Sequence, residues 1–73
     1  MIKELDRIIL TRDVSENKLK KGDIGIVVLI HDKSAGYEVE FSTLDGDTIS
    51  VVTLYSEDVR EIRKHEIAHA RVI

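Results

Sequence analysis

The residues best equipped for chemistry stand near the end of the chain. His65-Glu66-Ile67-Ala68-His69 spells HExxH. On a helix this spacing stacks two imidazoles on one face, where they grip zinc, and leaves the Glu as general base. A zinc hydrolase also needs a long buried helix, a third ligand and a cleft wall. Four residues follow His69, and the acids that would complete the ligand set fall in segments that read as strands and loops. In an extended tail His65 and His69 share a face, but at about 3.3 Å per residue they stand too far apart for one ion. They therefore read as surface histidines, the weak metal candidates of a chain with no expected catalytic, metal or cofactor site.

The other candidates are weaker still. His31 precedes Asp32, and a carboxylate beside an imidazole can orient it as a base. No nucleophile with a motif around it accompanies the pair, since Ser34 and Ser42 lie in plain contexts. Glu38 and Glu40 are two apart, on one face of a strand, and read as a solvated face. Asp45 and Asp47 flank Gly46 and serve a turn.

Arg12, Lys18, Lys20 and Lys21 form the one cationic cluster near a fold landmark, suited to phosphate or an acidic partner. Nucleic-acid binding asks for more cations on one face and for exposed aromatic rings. The chain has one Phe and two Tyr, and its formal net charge is −3. Residues 1–22 carry six basic and four acidic side chains. Residues 23–58 carry one basic residue, Lys33, against eight acids, and residues 59–73 carry four basic and two acidic. The middle is acidic, and the cations sit at the two ends.

These residues must be positioned by a single domain, because 73 residues bury a modest core. There is no Cys for a disulfide framework. No charged start precedes an apolar stretch, and no apolar run nears the roughly 18 residues of a membrane span. The expectation is a soluble, cytoplasmic protein without membrane contact.

Short apolar runs separated by turn signals are the pattern of a small all-β protein. Leu5–Thr11 is a first strand and Arg12–Lys21 the longest loop. Gly22 suits a turn, and Gly25 early in the next strand suggests a bulge. Ile26–Ile30 is a continuous apolar run, consistent with a buried strand. Asp32–Gly36 is a loop.

Asp45-Gly46 is a strong type I′ hairpin signal. A turn there sets Leu44 against Asp47, Thr43 against Thr48, Phe41 against Ser50, Val39 against Val52 and Tyr37 against Leu54. Tyr37, Val39, Phe41, Val52 and Leu54 then form a core face. Glu38, Glu40, Ile49, Val51 and Thr53 form the opposite one. Ser56–Val59 is a single turn with Ser56 or Asp58 as cap, and a short last strand follows.

This element order is that of a small SH3-like barrel. It has about five short strands and a 3₁₀-type turn before the last barrel strand. The barrel spans residues 1–62. Residues 63–73 are a C-terminal tail that reads as extended rather than helical and packs on the barrel or on a partner.

Four stretches, "LDRIILTRDV", "LKKGDIGIVV", "YEVEFSTLDGDT" and "VVTLYSEDVREI", resemble the prokaryotic family known as domain of unknown function 4926, over residues 5–62. The resemblance implies a small β-barrel, often a stand-alone protein, with no established activity and no catalytic or ligand residues to carry over. "KGDIGIVV" also resembles the Gly-containing strand of KOW-type barrels.

Ile49 and Val51, beside Glu38 and Glu40, are apolar on the face away from the core and need cover. With Ile67 and Ile73 of the tail they define an expected partner interface. The expected role is protein–protein contact, by self-association or as a regulatory partner, accessory subunit or antitoxin-like protein. A KOW-like nucleic-acid-binding barrel using the Lys18–Lys21 loop is the alternative, and zinc binding at the tail the remote one.

Overall fold

A computed structural model describes residues 1–32 and 35–73. Lys33 and Ser34, both weighed above, lie outside the described residues. β1 (Arg7–Leu10), β2 (Ile24–Ile30), β3 (Tyr37–Ser42), β4 (Thr48–Leu54) and β5 (Val59–Glu61) form one antiparallel sheet in the order β4-β3-β2-β1-β5. The last strand returns beside the first. A 3₁₀ turn at Ser56–Asp58 leads into it, where Asp58 caps by accepting from Tyr55 N at 3.0 Å. This is the small SH3-like barrel expected from the element order. The long Arg12–Lys21 connection holds a second 3₁₀ turn, Ser15–Asn17, closed by a Val14–Leu19 bridge.

Alternation builds the core. Ile8 and Leu10, Val27, then Tyr37, Val39 and Phe41, and finally Leu54 point inward and are buried. Val14 and Leu19 of the long loop and Val59 of β5 close the ends of the cluster. Each fully buried side chain of this size contributes about 1.5–3 kcal/mol. That contribution is why the register cannot slip by one residue without losing the core face.

The hairpin pairs Tyr37 with Leu54, Val39 with Val52 and Phe41 with Ser50, as expected. Its tip differs. Gly46 N donates to Thr43 O (3.0 Å) and Thr43 N to Asp47 O (2.8 Å). Gly46 has φ +101°, while Asp45 keeps a negative φ. This is a three-residue loop, a type I turn followed by a left-handed Gly, rather than the two-residue type I′ turn. Ser42 therefore pairs with Thr48, and Ile49 becomes the extra residue of a bulge. The bulge turns Ile49 to the core side, where it packs half-buried against the cluster. The expectation that Ile49 shares the outer face with Val51 is thus corrected, since burying its side chain is worth more than a regular ladder.

β2 departs from expectation in two ways. Its ladder irregularity falls between Val27 and Leu29, and Gly25 pairs regularly with Ile8. A Cβ at Gly25 would lie 2.5 Å from Val39 Cγ1 and 2.8 Å from Phe41 Cε1, so Gly25 is there for close approach. Nor is Ile26–Ile30 a buried run. Val27 is buried, whereas Ile26, Val28 and Leu29 are exposed. One sheet face packs on the core and the other does not, a distinction that an unbroken apolar run conceals.

Candidate functional site

The outer face of β2-β3-β4 gathers Glu38, Glu40 and Val51 of the expected interface with β2 residues that the sequence pattern had placed in a buried strand. Ile26 pairs with Glu40 and Glu40 with Val51, forming one row across three strands. Leu29, Glu38 and Thr53 form the next row. Glu38 and Glu40 are thus an acidic ridge with an apolar shoulder on each side. Ile26 is 39% exposed, Val28 41%, Leu29 47% and Val51 55%. The signal that could have found β2's share is the pairing itself. Once Val39 is inward, its neighbours Glu38 and Glu40 are outward, and so are their partners on both sides.

The ridge is hydrogen-bonded but has no Lys or Arg among the described residues. Glu38 Oε2 accepts from Thr53 Oγ1 at 2.7 Å and lies 2.7 Å from His31 Nε2. The Thr53 hydroxyl, then His31, hold the Glu38 carboxyl below the usual range. Glu40 Oε2 accepts from Thr48 Oγ1 at 2.6 Å. His31 is therefore oriented by Glu38 across the strand pair and not by its neighbour Asp32.

The tail carries neither helix nor strand pairing. His65 has φ +64°, a left-handed turn that cannot continue a helix, so the HExxH residues do not take the spacing that grips zinc. Glu66, the would-be base, forks onto Arg60 at 2.9 and 2.6 Å and accepts from Arg63 N at 2.6 Å. The Arg60 guanidinium, with the Arg63 amide, lowers its pKa to about 2. Among the described residues no group of three or more His, Cys, Asp and Glu could hold a metal ion.

Farther on, Arg71 grips Asp23 (Nε–Oδ1 2.8 Å) and the Lys18 carbonyl (3.0 Å). Arg71 keeps the Asp23 carboxyl below its ordinary range. Arg60 and Asp23 flank the two ends of one short path. Ile9 pairs with Arg60 on β5 and with Ile24, next to Asp23, on β2. The tail between Glu66 and Arg71 thus crosses the outer face of β5-β1-β2. This accounts for Ile9, which points away from the core between inward Ile8 and Leu10 yet is only 7% exposed. Ile67 and Val72 face solvent, and Ile73 is half-exposed. The end of the tail, Ala68–Arg71 and Ile73, lines a cavity with the tip of the β3-β4 hairpin. Ile67 and Ile73 belong to this strap, and Ile73 lines the same cavity as Ile49.

The cationic loop is partly spent within the molecule. Arg12 Nε donates to Asp58 Oδ1 at 2.7 Å and its Nη1 to the Asp13 carbonyl at 3.0 Å. Lys18 adopts φ +61° and presents its carbonyl to Arg71. Lys20 and Lys21 are exposed, with their backbone amides tied to Asp23 and Asp13. A cavity of about 520 Å³ opens between this region, the hairpin tip and the tail, with Leu19, Ile24, Phe41 and Ile49 as apolar wall and His69 at its lining. The sequence reading missed it, because it exists only where the tail arches over the hairpin tip.

Sheet order and the turn before β5 define an SH3-like barrel. Within that class, a family model described as a domain of unknown function (DUF4926) matches residues 4–61. The chain belongs to this family. No curated protein and no solved structure shows significant similarity to it. No helix among the described residues is long and apolar enough to cross a membrane.

Proposed function

We propose that this barrel is a non-enzymatic protein–protein interaction module, a regulatory partner, accessory subunit or antitoxin-like protein, that docks through the outer face of β2-β3-β4. One observation carries the reading. A row of exposed apolar side chains, Ile26 and Val51 with Val28 and Leu29, flanks the Glu38–Glu40 ridge, and the protein's own tail covers the neighbouring face instead. Exposed apolar side chains grouped on one face of a small domain mark a contact site. Charged residues beside it set orientation and partner choice more than affinity.

The test is Val51→Asp, with a photo-crosslinking residue placed at position 51 in a parallel variant. Val51 is outside the core, so the Asp variant should keep its stability to within about 0.5 kcal/mol. Native mass spectrometry of the untagged protein gives the chain number. The crosslinker at position 51, and not one at Lys3, should capture one protein, and Ile26→Asp should abolish the capture. If neither self-association nor capture depends on Val51 or Ile26, the outer face is not the docking site.

A further inference from the structure

We propose that the partner supplies a basic β-strand that pairs along the free edge of β4, its Lys or Arg side chains lying over Val51 to reach Glu38 and Glu40; this deepens the docking reading above and rests on it. The first ground is the edge. β4 is terminal in the sheet and its backbone is bonded to β3 alone among the described residues. Its seven residues, TISVVTL, carry no charge and no Pro. Natural edge strands are usually blunted by charge, Pro, brevity or a cover. The opposite edge strand, β5, has three residues, with Arg60 clamped to Glu66 of the tail. β4 has neither charge nor Pro, and what touches it lies toward the hairpin end, where Asn17 Nδ2 of the Ser15–Asn17 turn donates to Ser50 Oγ at 3.2 Å. Its bulge at Ile49 lies at the hairpin end, which leaves Ser50–Leu54 regular.

The second ground is charge. Glu38 and Glu40 stand one strand in from this edge and lack a Lys or Arg partner among the described residues. Arg12, Arg60 and Arg71 are already engaged with Asp58, Glu66 and Asp23. A strand added to β4 would lie about 4.8 Å from it and about 10 Å from β3. The aliphatic stem of a Lys or Arg on that strand covers Val51, and its charged head reaches the ridge. Main-chain bonds along the edge provide affinity and the alternate side chains provide selection.

A second copy fits less well. Pairing β4 with β4 sets Val51 beside its twin but brings no cation to either ridge, and it adds two acidic ridges roughly three strand spacings apart.

The probe is a synthetic heptapeptide of alternating Lys and Val, with its Glu-Val counterpart as control, added to the full 15N-labelled chain. The Lys-Val peptide should shift and protect the amides of Ser50–Leu54, and the Glu-Val peptide should not. Glu38→Gln with Glu40→Gln should weaken binding roughly fivefold, the effect of two exposed ion pairs. Shifts confined to Ile26, Val28 and Leu29 without protection of β4 would overturn strand addition and keep the docking face. Capture at position 51 with no response to either peptide would overturn the basic strand alone. A dimer whose β4 amides are protected without peptide would assign the edge to a second copy. No capture at position 51 and no peptide response would end both readings.

Discussion

Replacing Gly25 by Ala tests the close approach of β2 to the buried side chains of β3. The new Cβ would stand 2.5 Å from Val39 Cγ1, 2.8 Å from Phe41 Cε1 and 2.9 Å from Phe41 Cζ. Carbon atoms in contact prefer about 3.5–4.0 Å, so all three are repulsive. Val39 and Phe41 are buried, and a close-packed interior gives neither side chain room to withdraw. Overpacking of this kind costs about 1–3 kcal/mol, and three simultaneous contacts place it near the upper end. Ala recovers roughly 0.5–1 kcal/mol of the backbone freedom that Gly loses on folding. The net expectation is a loss of about 2 kcal/mol, from a total of roughly 4–11 kcal/mol for a domain of this length. Thermal denaturation should then show a midpoint lower by roughly 8–16 °C. Val39→Ala supplies the control. Alone it costs about 2 kcal/mol through lost burial and a cavity. Combined with Gly25→Ala it should cost less than the sum by about 1 kcal/mol or more, because the new methyl enters the space Cγ1 left. A Gly25→Ala protein within about 0.5 kcal/mol of the parent, or strict additivity in the pair, would refute the close approach.

Two further expectations concern pH. Asp58 accepts from Arg12 and from Tyr55 N, and Arg12 first of all holds its pKa below the ordinary 3.8. Its stabilising effect is therefore complete above that ordinary value and is lost as pH falls through the depressed folded one. Asp58→Asn should cost about 1–2 kcal/mol at neutral pH and flatten the loss of stability below pH 4, as read from urea midpoints between pH 7 and 2. Glu66 changes from 4.5 when free to about 2 when clamped on Arg60. The strap should hold above pH 4.5 and release between 4.5 and 2, with tail amide shifts following. Glu66→Gln should show the released shifts already at pH 7. Tail shifts in the parent protein that titrate at 4.5 would show that the clamp does not form.

Much of the architecture was legible because the hairpin sequence is alternating and its turn is marked. Tyr37, Val39, Phe41 and Leu54 sort to the core by period alone, and Asp45-Gly46 locates the tip to within a residue. That single residue was not legible. Type I′ and the type I turn with a left-handed Gly both accept Asp-Gly, and which one forms depends on whether Ile49 gains more by turning inward. The same limit applies to β2. A run of five apolar residues states that the strand is sticky, and only the pairing with Glu38 and Glu40 shows which of them stay in the open. Gly25 looked like a bulge because sequence cannot show that Val39 and Phe41 lie directly beneath it.

The candidate site was legible in its charges and hidden in its chain path. Cations at the two ends and acids in the middle invite pairing between ends and middle, and the fold makes two such pairs. Arg12 reaches Asp58, and Arg71 reaches Asp23 across 48 residues. Within the tail, Glu66 turns back on Arg60. This consumes the very glutamate that gave the HExxH its catalytic look, and the left-handed His65 that makes the turn removes the helix that zinc binding requires. What the internal pairing leaves over is informative. Asp23 and Asp58 are paired with arginines, while among the described residues Glu38 meets Thr53 and His31 and Glu40 meets Thr48. The ridge, its apolar shoulders and the uncharged β4 edge occur on the same side of the barrel, and a foreign strand of alternating basic and apolar residues would complement all three at once.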